Sequence, residues 1–223
     1  MSNEISALQA QLLREFIAEF RSDFFLSGGV ALSWGYLHHR LSNDLDFFAR
    51  TVVNLDAVES GWTRHLEQLG MQCETTERSE TFRRFQIHGN GDTTLIDLVS
   101  GDPPGVAELE LRDGIPIDSL LDIAVNKVLA LNREEIKDYV DLFLILQGET
   151  FDIFELLERS KRKSADAESD WFPLEVADLL VHADALPNFG KLRLLISLDR
   201  TEMNARLEAE ARKIFDRFRP GSS

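Results

Sequence analysis

The stretch Phe24–Arg50, FFLSGGVALSWGYLHHRLSNDLDFFAR, constrains the fold more than any other part of the chain. Phe24, Phe25 and Leu26 form a short apolar run that Ser27, Gly28 and Gly29 bring to an end. Val30 to Tyr36 has helical character, Ser42-Asn43 closes a polar loop, and Asp44-Leu45-Asp46-Phe47-Phe48 reads as a strand. The order is strand, glycine turn, helix, loop, strand. Alternate side chains of a strand share a face, so Asp44 and Asp46 point one way while Leu45 and Phe47 point into a core. Two carboxylates at such positions repel each other, and each is costly to desolvate. A divalent cation relieves both costs, and carboxylate oxygens suit a hard ion such as magnesium. The glycine pair lets backbone approach a ligand closely and frees amide hydrogens at a helix start to hold phosphate. A phosphate cradle followed by a two-carboxylate metal site points to a nucleoside triphosphate with its metal. Asp-x-Asp alone is common in solvated turns and strand edges, and Gly-Gly is weaker still, so the full pattern carries the reading.

Residues 4–22 read as an amphipathic helix with Ile5, Leu8, Leu12, Phe16 and Phe20 near one face. Asn54 is a candidate N-cap for a helix that runs to Leu69 and stops at Gly70. Within that helix His65 reads as a partly buried structural residue. Residues 71–77 and 81–88 read as strands. The turn Gly89-Asn90-Gly91-Asp92 joins Phe82–His88 to Thr93–Val99 as a hairpin. In its second strand Leu95, Asp97 and Val99 share one face, Ile96 and Leu98 the other. By pattern alone Asp97 belongs to a solvated strand face. Gly101-Asp102-Pro103-Pro104-Gly105 breaks the pattern, a short strand-like stretch follows, and Ile115-Pro116-Ile117-Asp118 leads into helices.

From there the chain is nearly all helical. Helices at 119–132 and 134–147 carry Lys127, Ala130, Arg133, Lys137, Asp138 and Asp141, with Asp138 and Asp141 on nearly the same face. The densest basic run, Arg159 to Lys163, reads first as a solvated helix end and second as a phosphate or nucleic-acid contact. Ser164 to Asp170 reads as a polar loop. Pro173 to Asp184 suits a helix with Pro in its first turn. Asp199 to Phe218 is a long helix with Met203, Leu207, Ile214 and Phe218 on one stripe, and 220–223 reads as a frayed end.

Taken together, the stretch from Phe24 to Arg50 resembles the first two motifs of the nucleotidyltransferase superfamily with the polymerase-beta-like fold. More narrowly it is similar to the AbiEii/AbiGii toxin branch, in Gly28-Gly29-Val30-Ala31-Leu32 and in Arg40-Leu41-Ser42-Asn43-Asp44-Leu45-Asp46. Many superfamily members have Gly-Ser where this chain has Gly28-Gly29, which leaves Ser42 as the nearest hydroxyl for a phosphate. Lys127-Val128-Leu129-Ala130-Leu131 and Lys137-Asp138-Tyr139-Val140-Asp141-Leu142 are similar to two later motifs of that branch. Lys137 stands where Arg is usual, which keeps the charge and loses the planar fork. The likeness runs from about residue 24 to 147.

The resemblance implies an α/β (α+β) fold, a mixed sheet flanked by helices, in residues 1–117. A helical domain at 118–223 would contribute Lys127 and Asp138 to the site. It implies a metal-dependent nucleotidyltransferase, the toxin of a toxin–antitoxin or phage-defence pair, moving a nucleoside monophosphate from an NTP to an acceptor hydroxyl on RNA such as tRNA. Asp44 and Asp46 would hold one or two Mg2+ or Mn2+ ions, and Asp97 would hold the catalytic metal and assist deprotonation of the acceptor hydroxyl. Asp97 enters because such enzymes carry a third carboxylate on a neighbouring strand. Gly28, Gly29, Ser42 and Lys127 would steady the triphosphate, and Asp138 would orient Lys127 or approach the acceptor. Two alternatives stand beside it: a small-molecule nucleotidyltransferase of the aminoglycoside kind, and a non-catalytic nucleotide-binding or antitoxin-like module.

Composition bounds the partners. At 43% hydrophobic with 15 Phe, the 223 residues can bury a proper core. A net charge of −15 argues against broad nucleic-acid binding, which basic surface drives, and is congenial to a cationic substrate or a basic protein partner. An RNA acceptor would need a local basic groove, for which residues 159–163 and the series Arg206, Arg212, Lys213, Arg217 and Arg219 are the candidates. The single cysteine, Cys73, excludes an intramolecular disulfide and reads as a packing residue. With no signal-like start and no stretch of the ~20 apolar residues that span a bilayer, a cytoplasmic protein is expected.

Overall fold

The computed structural model describes residues 4–218 and divides into two compact units. The expected frayed end at 220–223, Arg219 and the first three residues lie outside the described residues. One unit comprises the described residues up to Pro104 together with Glu108–Ser119; the other comprises Gly105–Ala107 and the described residues from Leu120 onward.

The first unit holds a mixed sheet of β1 (Phe25–Ser27), β2 (Asp44–Ala49), β3 (Gln72–Arg78), β4 (Phe82–Gly89), β5 (Asp92–Ser100), β6 (Glu110–Arg112) and β7 (Ile115–Ile117), in the order β3-β4-β5-β2-β1-β7-β6. β2 runs parallel to β5 and antiparallel to β1, and β7 runs parallel to β1. Asn90 and Gly91 both adopt positive φ, 53° and 77°, as a two-residue hairpin turn requires. That turn sets the β4/β5 register, from Phe82↔Val99 to Gly89↔Asp92.

Two helices cover one face. In α1 (Ala7–Phe20) the start falls three residues later than the apolar pattern indicates, because Ser6 and Gln9 form a reciprocal capping box. α3 (Leu55–Gln68) begins as expected, with Asn54 Oδ1 accepting from the amides of Asp56 and Ala57. Phe16 stacks on Phe47 of β2 at 4.2 Å and meets Trp62 of α3 edge-on at 5.2 Å. His65 stacks on Trp62 at 5.6 Å and reaches Glu15 at 3.0 Å, as its partly buried placement anticipated. Leu45, Phe47, Phe85, Ile96 and Leu98 are fully buried on this covered face. The other face is left for Asp44, Asp46 and Asp97.

The second unit contains α4 (Leu120–Ala130), α5 (Ile136–Gln147), α6 (Ile153–Ser160), α7 (Phe172–Val181) and α8 (Arg200–Phe218). Met203, Leu207, Ala211 and Ile214 are fully buried along one stripe of α8. Asp122 on α4 is completely buried and accepts from the amides of Val106 and Ala107, which ties residues 105–107 to this unit.

Glu59 fastens α3 to the far edge of the sheet. It accepts from Thr75 Oγ1 at 2.8 Å, from Arg83 Nε at 3.1 Å and from Arg78. Burial pushes its carboxyl up, and the three donors outweigh it, so the net shift is downward. A carboxyl held below its unfolded value of about 4.3 contributes stability above that pH and loses it as pH falls. Urea unfolding of wild type and Glu59→Gln should therefore differ most at neutral pH and converge below about pH 4; curves that stay parallel would reject this role.

Candidate active site

Gly28 starts the helix that follows β1. That helix, α2 (Gly28–Leu32), begins two residues before the apolar pattern suggests and continues as a π-helical turn, Ser33–Leu37, closed by His38 N to Ser33 O at 2.8 Å. Gly28 has φ +67°, and a Cβ built on it would lie 2.0 Å from Asp46 Oδ2. The Asp46 carboxylate thus occupies the space that any side chain at position 28 would need. A Cβ on Gly29 would lie 2.6 Å from Ser42 Oγ and 2.8 Å from Arg40 Nη2. The glycine pair, Asp46, Ser42 and Arg40 therefore form one tight cradle at the strand-to-helix turn. Gln9 of the capping box supports it by donating from Nε2 to Ser42 O at 2.8 Å. Ser33 donates its hydroxyl to Arg40 O, fixing the other end of the loop.

Strand register places the acids. Ser27, Asp46, Asp97, Arg84 and Glu77 are successive partners across β1, β2, β5, β4 and β3. Partners on adjacent strands share a face and sit ~5 Å apart, so Asp97 stands beside Asp46, and Asp44 lies two residues along β2. Asp97 is buried at 7% exposure, and the reason is Arg84. Arg84 donates Nε to Asp97 Oδ1 at 2.8 Å and Nη2 to Oδ2 at 2.6 Å, and its Nη1 bonds Glu77 at 2.7 Å. The bond to Asp97 is the largest cause holding the Arg84 guanidinium firmly protonated. At the other end of the row Ser27 donates to Asp118 Oδ2 at 2.9 Å instead of capping α2. Asp118, 1% exposed, also pairs with Arg50 at 3.5 Å. Arg84, Arg40 and Asp118 were not among the expected site residues.

A divalent ion fits this face through Asp44 and Asp46. Magnesium is commonly bound by one or two carboxylates with substrate phosphates completing its shell, and these two hard-oxygen donors lie on one face beside the glycine cradle. Among the described residues no three His, Cys, Asp or Glu side chains gather closely enough to hold one metal ion.

The helical unit carries the second expected group. Lys127 Nζ lies 2.6 Å from Asp138 Oδ1 and 2.7 Å from Asp141 Oδ2, with all three side chains at least nine-tenths buried. Asp138 and Asp141 both contact Lys127. Lys137 pairs with Glu135 at 2.8 Å. The basic run is largely consumed inside the same unit. Arg159 pairs with Glu155, Lys161 with Glu158, and Lys163, 3% exposed, with Asp122 at 2.8 Å. Arg206 and Lys213 meet Glu210, Arg212 meets Glu208, and Arg217 lies over Phe154. Of the proposed basic groove, these members are already neutralised or stacked. Cys73 is half-buried, and burial raises its thiol to about 11, in keeping with a packing role.

The family model described as "Nucleotidyl transferase AbiEii toxin, Type IV TA system" matches residues 11–222. The chain belongs to the AbiEii family of nucleotidyltransferase toxins. It is therefore a nucleotidyltransferase, and the match extends well past residue 147, where the motif likeness ended. Solved structures share the AbiEii chain's fold. A protein of H. pylori described as a candidate nucleotidyltransferase has 23% identity and a TM-score of 0.58 over 95% of this chain and 96% of its own. JHP933 of Helicobacter pylori has 21% identity and a TM-score of 0.57 over 96% and 94%. MenT4, a nucleotidyltransferase toxin of Mycobacterium tuberculosis, has 12% identity and a TM-score of 0.52 over 94% and 82%. No curated protein matches by sequence. Among the described residues no helix is long and apolar enough to cross a membrane.

The cradle makes a specific demand on Gly28. Any other residue there incurs the left-handed backbone cost of about 1–2 kcal/mol and must also displace the Asp46 carboxylate. Gly70 has φ +72° with nothing within 4 Å of its missing Cβ, so it reports the backbone cost alone. Chemical denaturation should show Gly28→Ala losing clearly more stability than Gly70→Ala; equal losses would mean that Asp46 does not fill that space.

Proposed function

We propose that this AbiEii-family enzyme transfers a nucleoside monophosphate from a nucleoside triphosphate to an acceptor hydroxyl, with Mg2+ or Mn2+ held by Asp44 and Asp46. The observation that carries the proposal is the glycine cradle closed directly against Asp46. It brings two glycine backbones, the Ser42 hydroxyl and the Arg40 guanidinium to the same strand end as the two carboxylates. A bound ion there would offset the phosphate charge and polarise the bonds to phosphorus. The chain's own contribution is positioning. Gly28 and Gly29 present backbone without side-chain obstruction, and Ser42 and Arg40 offer donors to phosphate oxygens. In the reaction the acceptor oxygen bonds to the α-phosphorus as the bond to the β-phosphate oxygen breaks. Pyrophosphate leaves, and the hydroxyl proton passes to solvent.

Lys127 is assigned to the charge that grows on the triphosphate, and Asp138, with Asp141, to holding that ammonium in one orientation. The short contacts at 2.6 and 2.7 Å within the helical unit support the orienting role. The acceptor we assign is RNA such as tRNA, on the strength of the toxin family, with a cognate antitoxin as the protein partner. A small cationic acceptor is favoured by one observation: a chain of net charge −15 in whose basic run Arg159, Lys161 and Lys163 are internally paired.

Incubation with each α-labelled NTP, Mg2+ and total cellular RNA tests the reading. Label should appear on RNA with wild type and fall at least about 100-fold in Asp46→Asn and in Lys127→Ala, with the fold of each checked by circular dichroism. Mg2+-dependent NTP binding without labelled RNA would move the assignment to the small cationic acceptor. Failure to bind any NTP would overturn it.

A further inference from the structure

The cross-strand row contains a cation that the reaction scheme has not used. Reading from β3 to β1, the side chains are Glu77, Arg84, Asp97, Asp46 and Ser27. Arg84 sits on the same face as the metal carboxylates, one strand beyond Asp97. Its planar fork takes both Asp97 oxygens, at 2.8 and 2.6 Å, the bidentate arrangement that is strongest and most directional for this pair. Glu77 holds its third nitrogen at 2.7 Å, and the guanidinium lies 5.6 Å from the centre of the Phe82 ring. Arg84 is thus held from three sides. The Asp97 side chain is only 10% exposed, while Arg84 is 32% exposed, so the pair is buried on the carboxylate side. Asp97 is also the carboxylate that would have to turn toward Asp46 to bridge a second ion.

We propose that Arg84 is a resident cation standing in for a second metal ion: it engages Asp97, so that this chain binds a single divalent ion through Asp44 and Asp46, and its guanidinium supplies a fixed positive charge beside Asp97. The proposal rests on the metal-dependent reading above and adds a stoichiometry to it. Asp44, Asp46 and Asp97 gather negative charge on one face of β2 and β5. Arg84 meets it at Asp97, and a divalent ion would meet it at Asp44 and Asp46.

Mn2+ titration of the full chain, read by electron paramagnetic resonance without nucleotide, tests this independently of turnover. Wild type should bind one Mn2+, and Asp46→Asn should weaken it at least tenfold. Arg84→Gln should admit a second Mn2+, because Asp97 is released. Arg84→Gln combined with Asp97→Asn leaves the net charge of the row unchanged and should return to one ion with an affinity within threefold of wild type. Arg84→Lys, which retains the charge without the fork, should still hold one ion and guards against loss of fold in the Gln variant. Two ions on wild type, or a tenfold loss in the charge-neutral double variant, would make Asp97 a ligand and overturn the inference while leaving metal-dependent transfer intact. No Mn2+ bound to any folded variant would remove the metal from both readings.

Discussion

The Asp46 carboxylate lies 2.0 Å from where a Cβ at residue 28 would be, and this close approach organises the first unit. It requires a residue without a side chain at the end of β1, in a backbone conformation that such a residue alone adopts cheaply. It also fixes the β1/β2 register at Ser27↔Asp46. From that register follow the positions of Asp97 and Arg84, because each neighbouring strand is paired in step with the one before. The same strand that presents Asp44 and Asp46 on one face buries Leu45 and Phe47 on the other, so core packing under α1 and α3 holds the acids in place.

Much of this was legible in the sequence. Alternation within Asp44–Phe48, the Asn54 cap and the Asn90-Gly91 turn each specify local geometry through short-range chemistry. Arg84 was legible too, though only in two steps. A two-residue turn at Asn90-Gly91 pairs residues whose numbers sum to 181, which places Arg84 opposite Asp97. The solvated face that pattern alone implied for Asp97 instead holds an ion pair in which Asp97 itself is buried, for that reason. The π-helical turn after Leu32 was not legible, since it answers to Ser33 and Arg40 meeting across the loop. Neither was the pairing of Ser27 with Asp118, which are 91 residues apart. The basic run at 159–163 looked like free surface charge because its partner Asp122 lies far back in the sequence.

The helical unit spends its charges inward. Lys127 with Asp138 and Asp141, and Lys163 with Asp122, are buried ion pairs at α4 and its neighbours. Such pairs recover their desolvation cost only with good geometry and further hydrogen bonds. Asp122 meets that condition through the Val106 and Ala107 amides, and Lys163 through Asn126 Oδ1 at 3.0 Å. Side chains paired in this way have one register in which every partner is met, so they also fix how the helices of this unit pack on one another.

The outer strand β3 carries a bulge between Thr75 and Glu77 and exposes Glu74, Glu77 and Arg78. An incoming strand needs an even ladder of donors and acceptors, and here the ladder is offset and lined with charge. Two copies meeting at this edge would bring the acidic side chains of both into one seam, against the repulsion of two chains at −15 each. The open end of the sheet is thereby protected from fibrous self-association, and this side of the molecule is left to contacts made by side chains.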